Sequence, residues 1–125
     1  MKKILLVEDD TFIRDMYEET LGDSGYEVVV AVDGQEGLEK LKSDTFDLVL
    51  LDIMMPKLDG LQVLKEFDGQ IPSTVVMLTN LGQEQVIKNA LGMGAAGYLI
   101  KSELDPSQIV QKVEEFVGPG ENDEE

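Results

Sequence analysis

The residues that can do chemistry in this chain are polar side chains that directly follow short apolar runs. Asp52 follows the run LVLL, and the acidic pair Glu8 and Asp9 follows the run ILLV. Thr79 and Lys101 follow two later apolar runs. Runs of this length are typical of buried strands. Because parallel strands in an open α/β sheet end at one edge, we expect these five side chains to lie at that edge.

This set of residue types suits phosphoryl transfer. Three carboxylates drawn together repel one another and raise each other's pKa unless a cation is present. Mg2+ prefers oxygen ligands and is usually held by one or two carboxylates. With Lys101 it would balance the formal charge of Glu8, Asp9 and Asp52. A phosphoryl group would then meet a metal, an ammonium and a carboxylate nucleophile, while the Thr79 hydroxyl could donate to one of its oxygens.

Alternation of apolar runs with amphipathic stretches predicts repeated βα units around a parallel sheet. Right-handed crossover connections then place helices over the sheet. We predict strands at 3–8, 27–31, 47–51, 74–78 and 96–100. We predict helices at 12–23, 35–42, in the segment after Asp59, at 83–92 and from Pro106 onward, the one at 83–92 having the weakest pattern.

Acidic residues mark the expected helix starts. Asp33 and Glu36 have the spacing of a capping box, and Asp59 precedes an apolar helical pattern. Asp105 precedes Pro106, whose missing N–H suits a first helical position. Asp10, just past the acidic pair, is expected to be a solvated or capping residue near the first helix rather than to take part in chemistry.

Composition narrows the class of protein. The 125 residues suffice for one domain, predicted at 1–118, followed by an acidic tail at 119–125 expected to be disordered. The net charge of -16 disfavours direct contact with nucleic acid or anionic membrane. No cysteine and no histidine is present, which excludes disulfides, thiolate chemistry and a phosphohistidine within this chain. No apolar run approaches membrane-span length, so we expect a cytoplasmic protein.

Several motifs occur together and in order: LLVEDD at 5–10, LDIMMP at 51–56, Asp59-Gly60, Thr79 and the pair Tyr98 and Lys101. Together they resemble the receiver domain of the response regulators of two-component systems. The resemblance covers about residues 2–117 and is to single-domain members similar to the chemotaxis response regulator. It implies a flavodoxin-like, doubly wound (βα)5 sandwich with strand order 2-1-3-4-5.

The resemblance implies specific roles around the metal. Asp52 would accept a phosphoryl group from a histidine kinase or a histidine phosphotransfer protein. Asp9 would bind Mg2+ directly and Glu8 directly or through water, with Asp52 and the Met54 backbone carbonyl completing the protein ligands. Mn2+ is the alternative ion.

The resemblance also implies a switch. Lys101 would contact the phosphoryl group, and Thr79 and Tyr98 would be the switch hydroxyl and the switch aromatic. Their movement would remodel the face built by the fourth helix, fifth strand and fifth helix. The output would be a partner bound in trans. We expect a monomer, dimerisation on phosphorylation being left open, and a phosphoacceptor that catalyses only its own phosphorylation and slow self-dephosphorylation rather than an enzyme.

Three departures from the family pattern are visible. Ser102 stands where the family usually has a cis proline; because cis before serine costs about 2.5–4 kcal/mol, we expect a trans bond, a different local loop and a less well aimed Lys101. Asn80 stands where a small residue is usual, so its amide could contact or obstruct the phosphoryl group. Met54 and Leu81 are apolar at positions that flank the path of attacking water, which predicts slow self-dephosphorylation.

Three other functions fit parts of this pattern. A pseudo-receiver would use the same fold as a binding scaffold without phosphorylation, an idea supported by Ser102 and Asn80. A flavodoxin-like flavin binder is disfavoured because the acidic turn after the first strand would repel phosphate. A carboxylate-nucleophile phosphatase usually has a second acid two residues after the nucleophile, where this chain has Met54.

Overall fold

The computed structural model describes residues 1–68, 70–80 and 84–120. Strands and helices alternate along this part of the chain, as the sequence predicts. A 3-10 turn, Lys101–Glu103, stands between the last strand and the last helix. The elements in chain order are β1 (Lys3–Val7), α1 (Thr11–Asp23), β2 (Glu27–Ala31), α2 (Gly34–Ser43), β3 (Leu48–Asp52), α3 (Gly60–Glu66), β4 (Thr74–Thr79), α4 (Glu84–Gly92), β5 (Gly97–Ile100) and α5 (Pro106–Val117).

All five strands are parallel and their order in the sheet is β2-β1-β3-β4-β5. The predicted flavodoxin-like, doubly wound fold is therefore confirmed. Strand ends differ slightly from the prediction. β1 ends at Val7 rather than at residue 8, while β3 and β4 each run one residue further and include Asp52 and Thr79. These two side chains are therefore held by the sheet ladder itself rather than by the loops that follow.

Alternation along the strands divides the core between the two faces of the sheet. On β1, Ile4 and Leu6 face the side covered by α1 and α5, whereas Leu5 and Val7 face the side covered by α2, α3 and α4. Each fully buried aliphatic side chain of this kind stabilises the fold by about 1.5–3 kcal/mol. All five residues of β3 are buried, as expected for a central parallel strand with helices on both sides.

Two helices begin with reciprocal capping boxes. Asp59 accepts from the Gln62 N–H, and the Gln62 side chain accepts from the Asp59 N–H. Asp105 and Gln108 make the same exchange at the start of α5, with Pro106 in the first turn. Both starts agree with the sequence prediction, and they fix where the loops that leave β3 and β5 must end.

The starts of α1 and α2 use a single cap each. Asp10 accepts from the Ile13 N–H, so its predicted capping role is confirmed. Asp33 accepts from the Glu36 N–H, but the Glu36 carboxylate accepts from the Val32 N–H rather than from that of Asp33. The predicted capping box at this helix is therefore only half present, because Glu36 reaches one residue further back.

Register brings the polar strand ends level with one another. Val7 pairs with Leu51, so Glu8 and Asp52 leave adjacent strands side by side. Thr79 pairs with Ile100, so Lys101 emerges beside the end of β4. A shift of one residue in either pairing would send these side chains to opposite faces, and the apolar alternation prevents it.

At the other edge of the sheet the C-terminal segment lies against the turn between α1 and β2. Tyr26 donates its hydroxyl to the Gly118 carbonyl at 2.7 Å. Gly120 lies so close that an added Cβ would stand 2.2 Å from the Ser24 carbonyl oxygen. Of the tail predicted to be disordered at 119–125, residues 119 and 120 are described and Gly120 lies against this turn, while residues 121–125 lie outside the described residues. In the described ranges, every helix is too short or too polar to cross a membrane.

Candidate functional site

Three carboxylates converge at the carboxyl edge of the sheet. Glu8 and Asp52 are buried, with 0% and 2% of their surface exposed, whereas Asp9 is exposed. One oxygen from each lies within 4.8 Å of the others. A set of three carboxylate oxygens open to solvent on the Asp9 side is the donor set that Mg2+ prefers. The residues present therefore fit the predicted metal.

Lys101 joins this cluster from β5. Its Nζ lies 3.1 Å from Asp52 Oδ2 and 3.2 Å from Glu8 Oε1. Lys101 therefore reaches both acids although Ser102 follows it, and the expectation that it is less well aimed than in its relatives stays a prediction. The peptide before Ser102 is trans, as expected, since the described residues contain no cis bond. The chain instead makes the 3-10 turn Lys101–Glu103, which starts at the lysine and leaves its side chain free to reach back across two strands.

Burial governs the protonation of the cluster. Loss of hydration raises the pKa of Asp52 to about 7, repulsion by Glu8 adds to the rise, and the Lys101 ammonium opposes it. For Lys101, burial disfavours the charge, but attraction to Asp52 and Glu8 outweighs it and raises the pKa. In the absence of a further cation, Asp52 thus holds a proton over much of the range below neutrality. A metal ion would displace that proton.

The loop between β1 and α1 is held by contacts that the sequence analysis did not anticipate. Arg14, the single arginine of the chain, donates from Nη1 to the Glu8 carbonyl at 2.9 Å. Asp10 donates its N–H to Glu8 Oε2 at 3.1 Å. The signal that was available is a lone cation six positions after Glu8, one turn into α1. These bonds fix both the backbone and the carboxylate of Glu8 beneath the exposed Asp9.

The predicted Met54 ligand starts the loop that follows β3. Its N–H donates to Asp52 Oδ1 at 3.2 Å, so its backbone lies beside the same carboxylate. The Met54 side chain is 58% exposed, while Met77 is fully buried in the core. Expectations for Leu81 fall on a residue outside those that the structure describes.

The two predicted switch residues are not part of the carboxylate cluster. Thr79 is buried, and its hydroxyl donates to the Asn80 carbonyl at 3.2 Å. Tyr98 lies on β5 with 45% of its surface exposed, pairing in register with Met77. Thr79 thus stands beside the site with its hydroxyl turned to the local backbone, and Tyr98 lies outward on the neighbouring strand.

Comparison with known proteins identifies the family. The family model described as "Response regulator receiver domain" matches residues 4–114. The chain belongs to this family. This receiver domain is 39% identical over 117 residues to the chemotaxis protein CheY of Treponema pallidum, covering 89% of the chain and 79% of that protein. It is 37% identical over 113 residues to the alkaline phosphatase synthesis transcriptional regulatory protein PhoP of Bacillus subtilis, covering 90% of the chain and 47% of PhoP.

Solved structures agree with this assignment. The receiver domain is similar to the chemotaxis protein CheY4 of Vibrio cholerae, with a TM-score of 0.84 and 32% identity, covering 93% of this chain and 98% of that one. It is also similar to the response regulator TrrA of Thermotoga maritima in complex with Mg2+-BeF, with a TM-score of 0.80, 32% identity and coverage of 93% and 99%. The chain spans about half the length of the transcriptional regulators it matches. Receiver domains are signalling modules of two-component systems, in which they partner with histidine kinases and output proteins.

Proposed function

We propose that this receiver domain accepts a phosphoryl group on Asp52, in a Mg2+-dependent reaction, from a histidine kinase or a histidine phosphotransfer protein. The observation that carries the proposal is the position of Lys101 Nζ, within 3.2 Å of carboxylate oxygens of both Asp52 and Glu8. At this position the Lys101 ammonium favours the charged form of Asp52 and lies where it could contact a phosphoryl group on that carboxylate. The proposal also draws on the TrrA structure, whose complex contains Mg2+-BeF.

Residues of this chain would have separate roles in phosphoryl transfer. A carboxylate oxygen of Asp52 attacks phosphorus, the bond from phosphorus to the donor imidazole breaks, and the imidazole nitrogen keeps the electron pair. Lys101 stabilises the charge on the transferred group. Glu8, Asp9, Asp52 and the Met54 carbonyl would hold Mg2+, with Mn2+ as the alternative. When bound, the metal neutralises negative charge on the phosphoryl oxygens.

The switch would begin at Thr79. Its hydroxyl now donates to the Asn80 carbonyl, a bond that it can exchange for one to a phosphoryl oxygen on Asp52. Moving Thr79 inward frees space on the β4 side of Tyr98, whose exposed ring can then turn in. The surface formed by α4, β5 and α5 changes accordingly, and a partner that prefers one of its two arrangements reads the change.

We also propose the domain bounds, oligomeric state, cellular location and type of partner. The receiver unit would comprise residues 1–118, ending where α5 is capped by Gly118. The domain would act as a monomeric phosphoacceptor in the cytoplasm and control an output protein in trans. Its strongly negative net charge makes a direct contact with nucleic acid unfavourable.

The test is incubation with acetyl phosphate, with Mg2+ or with EDTA, followed by intact mass measurement. The wild type is expected to gain the mass of one phosphoryl group only with Mg2+, and Asp52→Asn is expected to gain none. Asp9→Asn should gain it only at higher Mg2+ concentration. Asp15→Asn, an exposed charge change on α1, is the control and should behave as wild type. An unmodified wild type would instead support the pseudo-receiver. If Asp9→Asn is labelled at the same Mg2+ concentration as wild type, so that only Asp52→Asn loses labelling, a different metal site is required.

A further inference from the structure

The loop between β3 and α3 contains a strained residue. Lys57 has a φ of 69°, a left-handed conformation that is uncommon for residues other than glycine. The Leu58 N–H donates to the Pro56 carbonyl two residues back, at 2.8 Å, so Lys57 is the centre of a γ-turn. Strain of this kind persists only where surrounding contacts impose it, and it is concentrated at functional sites.

One such contact is an ion pair with the start of α2. Lys57 Nζ lies 3.4 Å from Asp33 Oδ2. The other oxygen, Oδ1, accepts the Glu36 N–H at 2.8 Å and so caps the helix. Asp33 is therefore immobilised by the helix, whereas Lys57 is 70% exposed. The helix start acts as the fixed partner, and the loop is the part that it holds.

A second contact is made by the backbone. Gly34, the first residue of α2, lies so close to Leu58 that an added Cβ would stand 1.6 Å from the Leu58 carbonyl oxygen. Only glycine allows this approach. The γ-turn is thus held against α2 on both sides, by a charge at Lys57 and by close packing at Leu58.

Both ends of this loop, Met54 and Gly60, contact residues at the end of β3. Met54 donates its N–H to Asp52 Oδ1, and Gly60 donates its N–H to the Ile53 carbonyl at 2.9 Å. An added Cβ on Gly60 would stand 2.5 Å from the Asp52 carbonyl oxygen. The two ends of the segment from Asp52 to Gly60 are therefore held together, and Met54 and the γ-turn belong to the same short closed loop.

We infer that the start of α2, through Asp33 and Gly34, positions the Met54 backbone beside Asp52 by holding the γ-turn at Lys57. Asp33, Gly34 and Lys57 are thus positioning residues for the phosphorylation site, although none belongs to its carboxylate cluster. The inference rests on the proposed function, because it assigns these residues an effect on the metal that Met54 and Asp52 would share.

The test compares six variants with wild type, of which Gly22→Ala is the control for Gly34→Ala. Lys57→Met and Asp33→Asn each remove the ion pair, the second keeping a capping side chain. Lys57→Arg keeps the charge, and Gly34→Ala removes the close approach. Lys40→Met is the matched control, since it breaks a different ion pair of α2, that of Lys40 with Glu36, without touching the loop.

Two readouts are taken for each protein after its urea midpoint shows that it is folded. Hydrogen exchange of the amides in 53–60, measured without metal, is expected to be faster in Lys57→Met, Asp33→Asn and Gly34→Ala. Mg2+ affinity by calorimetry is expected to fall about two- to fivefold for the ion-pair variants, the range an exposed pair can transmit. Mg2+ affinity should fall about tenfold for Gly34→Ala, because substitution of residues that orient metal ligands typically has an effect of this size. Lys57→Arg and Lys40→Met should match wild type.

The outcomes separate this inference from the proposed function. If wild type binds Mg2+ and is phosphorylated while Lys57→Met, Asp33→Asn and Gly34→Ala match it in affinity and exchange, the positioning role is refuted and the proposed function stands. If wild type binds no Mg2+, both fail. If Lys57→Met and Lys57→Arg lose Mg2+ affinity equally, the ion pair between Lys57 and Asp33 has no positioning role. A matched Gly22→Ala, at a helical glycine with open space around it, should change neither readout and controls for the added methyl group.

Discussion

Replacing Asp52 with asparagine should stabilise the metal-free protein, and the gain should grow with pH. The folded-state pKa of Asp52 is raised from 3.8 to about 7 by burial and by Glu8. Between these values the unfolded chain has lost the proton while the folded protein keeps it, so the free energy of unfolding of wild type falls as pH rises from about 4 to about 7. Asparagine does not titrate, so the Asp52→Asn variant does not lose stability in this way as the pH rises.

The size of the effect follows from the shift. About three pKa units at 1.36 kcal/mol each correspond to an upper limit of about 4 kcal/mol above pH 7. At pH 5, only about one unit separates the pH from the unfolded-state pKa, which leaves about 1–2 kcal/mol. The stabilisation by Asp52→Asn should therefore be about two to three times as large at pH 8 as at pH 5. Mg2+ should reduce it, because the ion stabilises the charged carboxylate only in wild type.

Urea unfolding followed by far-UV circular dichroism suits this test, since the chain has no tryptophan. Both proteins are measured in EDTA at pH 5, 6, 7 and 8 and again with Mg2+. Asp15→Asn is the charge-matched control, and its exposed position on α1 should give no comparable dependence on pH. A gain that is the same at pH 5 and pH 8, or a less stable Asp52→Asn at pH 8, would refute the burial argument.

Three further predictions concern the same site. Mg2+ affinity of wild type should rise with pH up to about 7 and then level off, because the ion competes with the proton on Asp52; calorimetry that shows no such rise would contradict the assigned pKa. Lys101→Met should lower the free energy of unfolding in EDTA at pH 8 by about 3 kcal/mol, since it leaves Glu8 and Asp52 buried without their cation, and the urea midpoint measures this. Self-dephosphorylation should be slow, because Met54 offers no polar group to orient water; a half-life of the phosphorylated form under a minute would defeat this, and Met54→Gln should shorten the half-life several-fold.

The fold could be predicted because its determinants are local patterns repeated five times. Each apolar run specifies a strand, and register follows from which face must be buried, so the sequence alone indicated that Glu8 and Asp52 would emerge together. The same reasoning explains the small errors at strand ends. Asp52 continues the ladder by pairing with Leu78, since backbone pairing does not stop where the apolar run stops.

Loop geometry could not be predicted in the same way. The direction of the Lys101 side chain depends on the 3-10 turn that follows β5. The absence of proline at residue 102 disfavours a cis bond, but it does not predict which trans conformation the loop adopts. The single arginine, Arg14, draws attention to the first helical turn, but it binds a backbone carbonyl, and since every residue has one, the sequence does not say which carbonyl it binds. The turn at Lys57 and Leu58 is contacted by Asp33 and Gly34, and no periodicity in the sequence connects these two segments.

The partners of Lys101 are far away along the chain: Glu8 is 93 positions from it and Asp52 is 49. A polypeptide still emerging from the ribosome without its final strand has both acids and no ammonium between them. Such an incomplete chain lacks the cation that lies within 3.2 Å of both acids in the folded domain. If Asp52 accepts a phosphoryl group as proposed, a chain becomes a competent acceptor only after the last strand, which Lys101 follows, has been made and has folded.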